Sequence, residues 1–178
     1  MENTVPVTVY DSVLPADRFE SLQQEISQSN LDFVQQYPNR LFTDPKHEAW
    51  LRSYFDPFIQ QLTEDTGLNL YVQQIFIGFE LPGCQFLLHR SHPNIACVAN
   101  FSLNDFALNK LICLTDSQDD PEDYLWGRKN YKSVDFEFKA NRAIVVHNPE
   151  VRPHWGFPFP IGENIVKKSV WIYFGKNV

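Results

Sequence analysis

The feature that most constrains this chain is a change of period near residue 68. From Leu68 onward, short segments rich in Val, Ile, Phe and Tyr recur at 70–80, 84–89, 95–103, 110–115, 134–139, 143–147 and 166–174, with turn-forming residues between them. Short strands at such regular spacing favour a sandwich or jelly roll over a parallel sheet built from βαβ units.

The first third reads as helical. Leu14-Pro15-Ala16-Asp17 resembles a helix start, Phe19, Leu22 and Ile26 form one apolar face, and Ser27 to Asn30 end the helix. Pro38, Asn39, Asp44 and Pro45 mark 37–46 as a loop. A second helix is expected from about Lys46 to Thr66, with Trp50, Tyr54, Phe58 and Leu62 recurring at i, i+4. Pro57 is expected to break or kink it, and Gly67 to cap it. The expected class is α+β, mainly β, in a single domain over 1–178. Residues 1–67 would be helical support for one sheet and 68–178 the jelly-roll core.

Composition removes several classes of function. Fifteen Lys and Arg against 22 Asp and Glu give a net charge of −7, which argues against a general electrostatic grip on nucleic acid or an anionic membrane. With 43% hydrophobic and 21% charged residues, the chain is too apolar for disorder, and 178 residues can bury a sizeable core. No stretch approaches the roughly 18 uncharged apolar residues of a membrane span. Met1 to Pro6 lack the basic and apolar regions of a signal peptide, so a soluble, cytoplasmic protein is expected. Cys84, Cys97 and Cys113 form no close-spaced pair and read as buried, reduced thiols. The acidic run Asp116 to Asp123 lacks the Gly and spaced ligands of a calcium loop and reads as solvated.

The candidates for chemistry are histidines. Four of the five, His89, His92, His147 and His154, fall in the strand region, where imidazoles from separate strands could hold a divalent metal. Count alone favours scattered core and surface roles, but the neighbouring residues add an order. Phe79-Glu80-Leu81-Pro82-Gly83 precedes His89-Arg90-Ser91. Asn141-Arg142-Ala143-Ile144-Val145-Val146 leads to His154-Trp155-Gly156-Phe157-Pro158-Phe159-Pro160. Lys167-Lys168-Ser169-Val170-Trp171-Ile172-Tyr173-Phe174 follows.

By order and spacing, roughly residues 70–178 resemble the iron(II)/2-oxoglutarate-dependent oxygenases, above all their prolyl-hydroxylase-like branch. The resemblance implies a double-stranded β-helix (jelly roll) with N-terminal helices packed on one sheet, and Fe(II) and 2-oxoglutarate as cofactors. It matches His89 and His154 to the iron-binding histidines, so their nitrogens should converge within about 5 Å of each other. It matches Lys167 to the basic partner of the far carboxylate of 2-oxoglutarate and Ser169 to its hydroxyl partner. No catalytic residue beyond the metal centre is implied. The two-residue period of a strand would put Lys167, Ser169, Trp171 and Tyr173 on one face and Lys168 on the other.

The sequence departs from the family where His-x-Asp is expected, because Ser91 stands at the carboxylate position. A neutral hydroxyl is a poor substitute for a hard, negative ligand, which puts both cofactors in question. The usual Gly-Gly-x-Leu is also replaced, by Ala107-Leu108-Asn109-Lys110-Leu111. Four readings follow. The gap could admit a halide, as in the family's halogenases. Another side chain, His92, Asn94 or His147, could complete the ligand set. The fold could have kept a pocket and lost catalysis. Or His92-Pro93-Asn94 could be the true counterpart of His-x-Asp.

Aromatic residues near the C-terminal half are core by default, yet Trp155, Phe157, Trp171 and Tyr173 could line a substrate pocket, with Arg152 meeting an anionic substrate. The implied function is oxidation, by hydroxylation or halogenation, of a small molecule or a peptide side chain. The alternative is a non-catalytic jelly-roll binding protein that has lost the metal carboxylate.

Overall fold

A computed structural model describes residues 7–84, 92, 94–114, 133–147 and 166–177. In chain order the elements are β1 (Val7–Asp11), α1 (Ala16–Gln28), β2 (Phe33–Tyr37), β3 (Arg40–Thr43), a 3-10 turn (Pro45–His47), α2 (Glu48–Thr66), β4 (Leu70–Glu80), β5 (Cys97–Ser102), β6 (Phe106–Leu114), β7 (Ser133–Phe138), β8 (Arg142–His147) and β9 (Lys167–Lys176). Seven strands form one antiparallel sheet in the order β1-β8-β5-β9-β4-β3-β2, and β6 and β7 form a separate two-stranded sheet. Among the described residues, no helix is long and apolar enough to cross a membrane.

Alternation along the strands divides the core in two. On one side of the large sheet, Ile75, Ile77, Ala99, Phe101, Val145, Val170, Ile172 and Phe174 pack against Leu22 of α1 and Leu51, Phe55, Phe58 and Leu62 of α2. The edge-to-face stack of Phe55 on Phe101, with centroids 4.9 Å apart, sits in this layer. Truncating a buried Phe of this kind to Ala typically costs about 3–5 kcal/mol. On the other side, the inner face, Phe42, Phe76, Val98, Ile144, Val146 and Trp171 pack with Phe106 and Phe138 of the small sheet. The result is three layers: helices, large sheet, small sheet.

The strands expected at 70–80, 95–103, 110–115, 134–139, 143–147 and 166–174 are all present with boundaries shifted by a few residues at most. The segment expected at 84–89 lies outside the described residues beyond Cys84, as does the acidic run 116–123. The helices also fall where periodicity puts them, and Gly67 closes α2 at φ 63°.

The first third is not purely helical, however. β1 pairs with β8, from Val7↔Val146 to Asp11↔Arg142, and β3 pairs with β4. The expected loop at 37–46 is a hairpin in which Pro38 and Asn39, the latter at φ 61°, form the tip between β2 and β3. Turn residues mark a hairpin tip as readily as a loop, and the flanking strands are only four or five residues long. Pro57 does not break α2, which runs through it. A proline leaves the carbonyl four residues earlier without its helical donor. That carbonyl, on Ser53, instead accepts from Arg18 Nη2 of α1.

Candidate functional site

The inner face carries a set of buried polar side chains that an apolar layer would not predict. Arg40, Glu80, Asn100, Ser102, Lys167 and Ser169 are all buried there, four per cent exposed at most. Strand register explains how they meet. Glu80 is opposite Arg40 on one side and Lys167 on the other; Ser169 is opposite Ser102; Asn100 is opposite Trp171. Four strands thus contribute to one patch: β3, β4, β9 and β5.

Glu80 lies between two cations. Its Oε1 is 3.3 Å from Arg40 Nε and its Oε2 is 3.7 Å from Lys167 Nζ. Lys167 Nζ also donates to Ser169 Oγ at 3.1 Å and to Asn100 Oδ1 at 3.4 Å. Glu80 Oε2 lies 3.5 Å from Ser169 Oγ. Aromatic faces fill the remaining space. Arg40 lies 4.2 Å from the Phe42 ring centroid and 4.9 Å from that of Trp171, and Lys167 lies 4.3 Å from Phe138, which reaches across from the small sheet. Room for the Trp171 indole comes from Gly78 across the β4–β9 pair, where a Cβ would meet Trp171 Nε1 at 3.1 Å. Trp171 in turn stacks on Tyr173, and Tyr173 on Phe76.

Burial pulls the Lys167 ammonium down to about 8; the attraction of Glu80 opposes this and the repulsion of Arg40 adds to it. Burial likewise lowers the Arg40 guanidinium, against the pull of Glu80. Two further polar atoms, Asn100 Nδ2 and Ser102 Oγ, are fully buried without a hydrogen-bond partner among the described residues. A buried donor left unmade costs about 1–3 kcal/mol, so such atoms call for a ligand or water. A serine hydroxyl beside the buried ammonium, with the Asn100 and Ser102 donors on the same face, suits a carboxylate group.

The expected site residues fall as follows. Lys167, Ser169, Trp171 and Tyr173 share the inner face, and Lys168 is on the helix side, over the ring of Phe79. His92 is exposed, and its Nδ1 accepts from the Asn94 N–H at 3.4 Å. His147 alternates with Val146 and so turns toward the helix side, where its Nε2 is 2.8 Å from Thr8 Oγ1. Burial lowers its imidazole below the usual value. It therefore does not share the face of Lys167, which counts against its completing a ligand set there. His89, Ser91, Arg152, His154, Trp155 and Phe157 lie outside the described residues. Among the described residues, no three His, Cys, Asp or Glu side chains are grouped to hold a metal ion. Arg40, Asn100 and Ser102 join the site without belonging to any of the motifs above. Asn100 and Ser102 carry a signal all the same, as polar residues at alternate positions of an otherwise apolar strand, Cys97-Val98-Ala99-Asn100-Phe101-Ser102. Arg40 carries none, because its burial depends on the pairing of β3 with β4.

No protein-family model and no curated protein sequence matches the chain. Solved structures do. HygX from Streptomyces hygroscopicus, solved with nickel, 2-oxoglutarate and hygromycin B bound, superposes with a TM-score of 0.71 over 97% of this chain and 84% of its own, at 13% identity. The non-heme alpha ketoglutarate dependent epimerase SnoN from nogalamycin biosynthesis gives 0.75 over 96% and 78%, also at 13% identity. A Pseudomonas putida prolyl-4-hydroxylase gives 0.64 over 98% and 95%, at 16%. The chain therefore has the jelly-roll fold of the 2-oxoglutarate oxygenases, with helices on one face of the large sheet. At these identities it is the fold that is shared.

Proposed function

We propose that this chain is an Fe(II)- and 2-oxoglutarate-dependent oxygenase that oxidises a small molecule or a peptide side chain. The observation that carries the reading is the buried pair of Lys167 and Ser169 on the inner face of a jelly roll, 3.1 Å apart. The far carboxylate of 2-oxoglutarate fits this donor set. Lys167 would supply the charge, Ser169 a hydroxyl, and Asn100 Nδ2 and Ser102 Oγ two donors that otherwise find no partner among the described residues. Fe(II) with 2-oxoglutarate, when bound, supplies the oxidising chemistry. The work of the chain is to orient the co-substrate by one end and to keep water from the reaction behind the Trp171, Phe106 and Phe138 layer.

For the metal, His89 and His154 are the proposed ligands, with Ser91 where a carboxylate would ordinarily stand. A halide in that gap would give halogenation in place of hydroxylation, and His92 is the substitute ligand if the set is completed by protein. Arg152, Trp155, Phe157, Trp171 and Tyr173 are the proposed substrate contacts. The likeness to HygX with hygromycin B and to a prolyl hydroxylase bound to a peptide fragment supports either substrate class.

A second reading, a non-catalytic binding protein, is favoured by Ser91 alone. One experiment separates the two. Anaerobic titration of the protein with Fe(II) and 2-oxoglutarate is followed by admission of O2 and measurement of succinate. The oxygenase reading expects binding and succinate; binding with no succinate supports the second reading; no binding of 2-oxoglutarate rejects the first.

A further inference from the structure

Asn100 and Ser102 are buried polar residues on the inner face of β5, where Val98 and the facing Ile144 and Val146 are apolar. Asn100 is opposite Trp171 in β9 and Ser102 is opposite Ser169, which places both beside the pair proposed to hold the far carboxylate. We propose that Asn100 and Ser102 are specificity-determining residues of this site. They present donors to the far end of the co-substrate and select an end group that accepts hydrogen bonds, a carboxylate, over one that donates them, a primary amide. The inference rests on the oxygenase reading for the identity of the co-substrate.

Three observations support it. First, the polarity of the Asn100 amide is fixed. An ammonium has donors and no acceptor, and Lys167 Nζ donates to Asn100 Oδ1 at 3.4 Å. The amide oxygen is thereby turned to Lys167 and Nδ2 is turned elsewhere, so what Asn100 offers a guest is N–H alone. Second, Asn100 Nδ2 and Ser102 Oγ, both on fully buried residues, have no hydrogen-bond partner among the described residues. A buried polar atom left without a partner lowers stability, and an apolar side chain of similar size would not. The fold alone therefore gains nothing from the Asn100 amino group or the Ser102 hydroxyl, whereas a bound acceptor completes both. Third, the two side chains lie two positions apart on one strand and share its face, so both can converge on a single end group.

The test titrates the unmodified protein, Asn100→Asp and Ser102→Ala by calorimetry and follows their thermal unfolding without ligand. The probes are 2-oxoglutarate and two unreactive analogues in which an NH replaces the C3 methylene: N-oxalylglycine and its far-end amide, N-oxalylglycinamide. Asn100→Asp keeps an acceptor for Lys167 and puts an oxygen in place of the donor. It should bind both acids about tenfold more weakly and the amide about threefold more tightly. Ser102→Ala should bind the acids about threefold more weakly, while its ligand-free melting temperature stays level or rises, because a buried hydroxyl without a partner has been removed. This variant carries the test if Asn100→Asp does not fold. Unchanged affinity for the acids in either variant overturns the inference. So do weaker acids with an unchanged or weaker amide in Asn100→Asp, since the new charge then acts at a distance and Asn100 is no donor to the end group. Each of these results, in a protein whose unmodified form binds 2-oxoglutarate, leaves the oxygenase reading standing. No binding of 2-oxoglutarate or N-oxalylglycine by the unmodified protein rejects the oxygenase reading itself, and this inference with it.

Discussion

Lys167 and Lys168 are consecutive in β9 and face opposite sides of the large sheet. Lys167 is fully buried beside Ser169 and Glu80, while Lys168 is exposed over Phe79 on the helix side, its backbone N–H held by Asn104 Oδ1 at 2.8 Å. Their truncations should therefore separate cleanly. Lys167→Ala should weaken 2-oxoglutarate binding by about 1.5–3 kcal/mol, the range for a hydrogen bond to a charged group. Lys168→Ala should change it by less than about 0.5 kcal/mol. Calorimetric titration of both variants measures the difference, and equal losses would remove Lys167 from the site.

The depressed Lys167 gives stability and binding opposite pH trends. In the unfolded chain this ammonium keeps its proton up to about 10.4, whereas the folded protein releases it near 8. Between those values the unfolded state binds more protons, so this group makes stability rise with pH. Carboxylate binding needs the ammonium, so affinity for 2-oxoglutarate should fall above pH 8 by up to about tenfold per unit. Among the described residues its charged neighbours include Glu80 and Arg40, and burial pushes the nearby Cys84 thiol up to about 11, so it stays neutral through the start of this window. Titrations at several pH values, repeated in Lys167→Met, check the assignment; a slope that survives the substitution belongs to another group.

Asn141 ties the turn before β8 to the start of α1. At φ 60°, it accepts from the Leu14 N–H at 2.9 Å and donates to the Leu14 carbonyl at 2.7 Å, across 127 positions. Asn141→Ala should lose both bonds and strain the left-handed backbone, costing about 2–4 kcal/mol in total. Asn141→Gly should recover the strain and cost about 1–2 kcal/mol less than the alanine. Urea unfolding measures both; a lower midpoint at unchanged slope is the expected result.

A residue's place is legible in the sequence to the extent that it is set locally. The two-residue alternation of β9 is enough to put Lys167, Ser169, Trp171 and Tyr173 on one face, because a strand's faces are fixed by its own pleat. β1 and the β2–β3 hairpin escape a local reading for the opposite reason. Val7-Thr8-Val9-Tyr10-Asp11 is short, and what makes it a strand is β8, over 130 positions away. The helical face around Phe55 and Phe58 continues through Pro57, and the orphaned Ser53 carbonyl is taken by Arg18 of another helix, a contact that no local pattern announces. Glu80 is visible in the sequence as a motif residue, but its place between Arg40 and Lys167 follows from two long-range strand pairings.

Ser91 decides between the catalytic and non-catalytic readings through iron rather than through the co-substrate. If His89 and His154 are arranged around a metal, Ser91→Asp should raise Fe(II) affinity and abolish any chloride-dependent chemistry, since the carboxylate would take the halide's place. In a remodelled binding protein, the same carboxylate would be an unpaired charge and lower the melting temperature without restoring metal. Anaerobic Fe(II) titration of both proteins, with and without chloride, alongside thermal unfolding, gives the answer.

β9 comes last among the described strands in sequence but lies at the centre of the large sheet, between β5 and β4. On the ribosome, the half-sheets β1-β8-β5 and β4-β3-β2 have no partner until residues 167–176 emerge. At about 5–20 residues per second the earlier strands wait with two apolar edges open. Closing this sheet joins strands far apart in sequence, a topology of the kind that folds slowly. Before β9 is made, the chain has two unpaired sheet edges, β5 and β4, that the finished sheet does not expose.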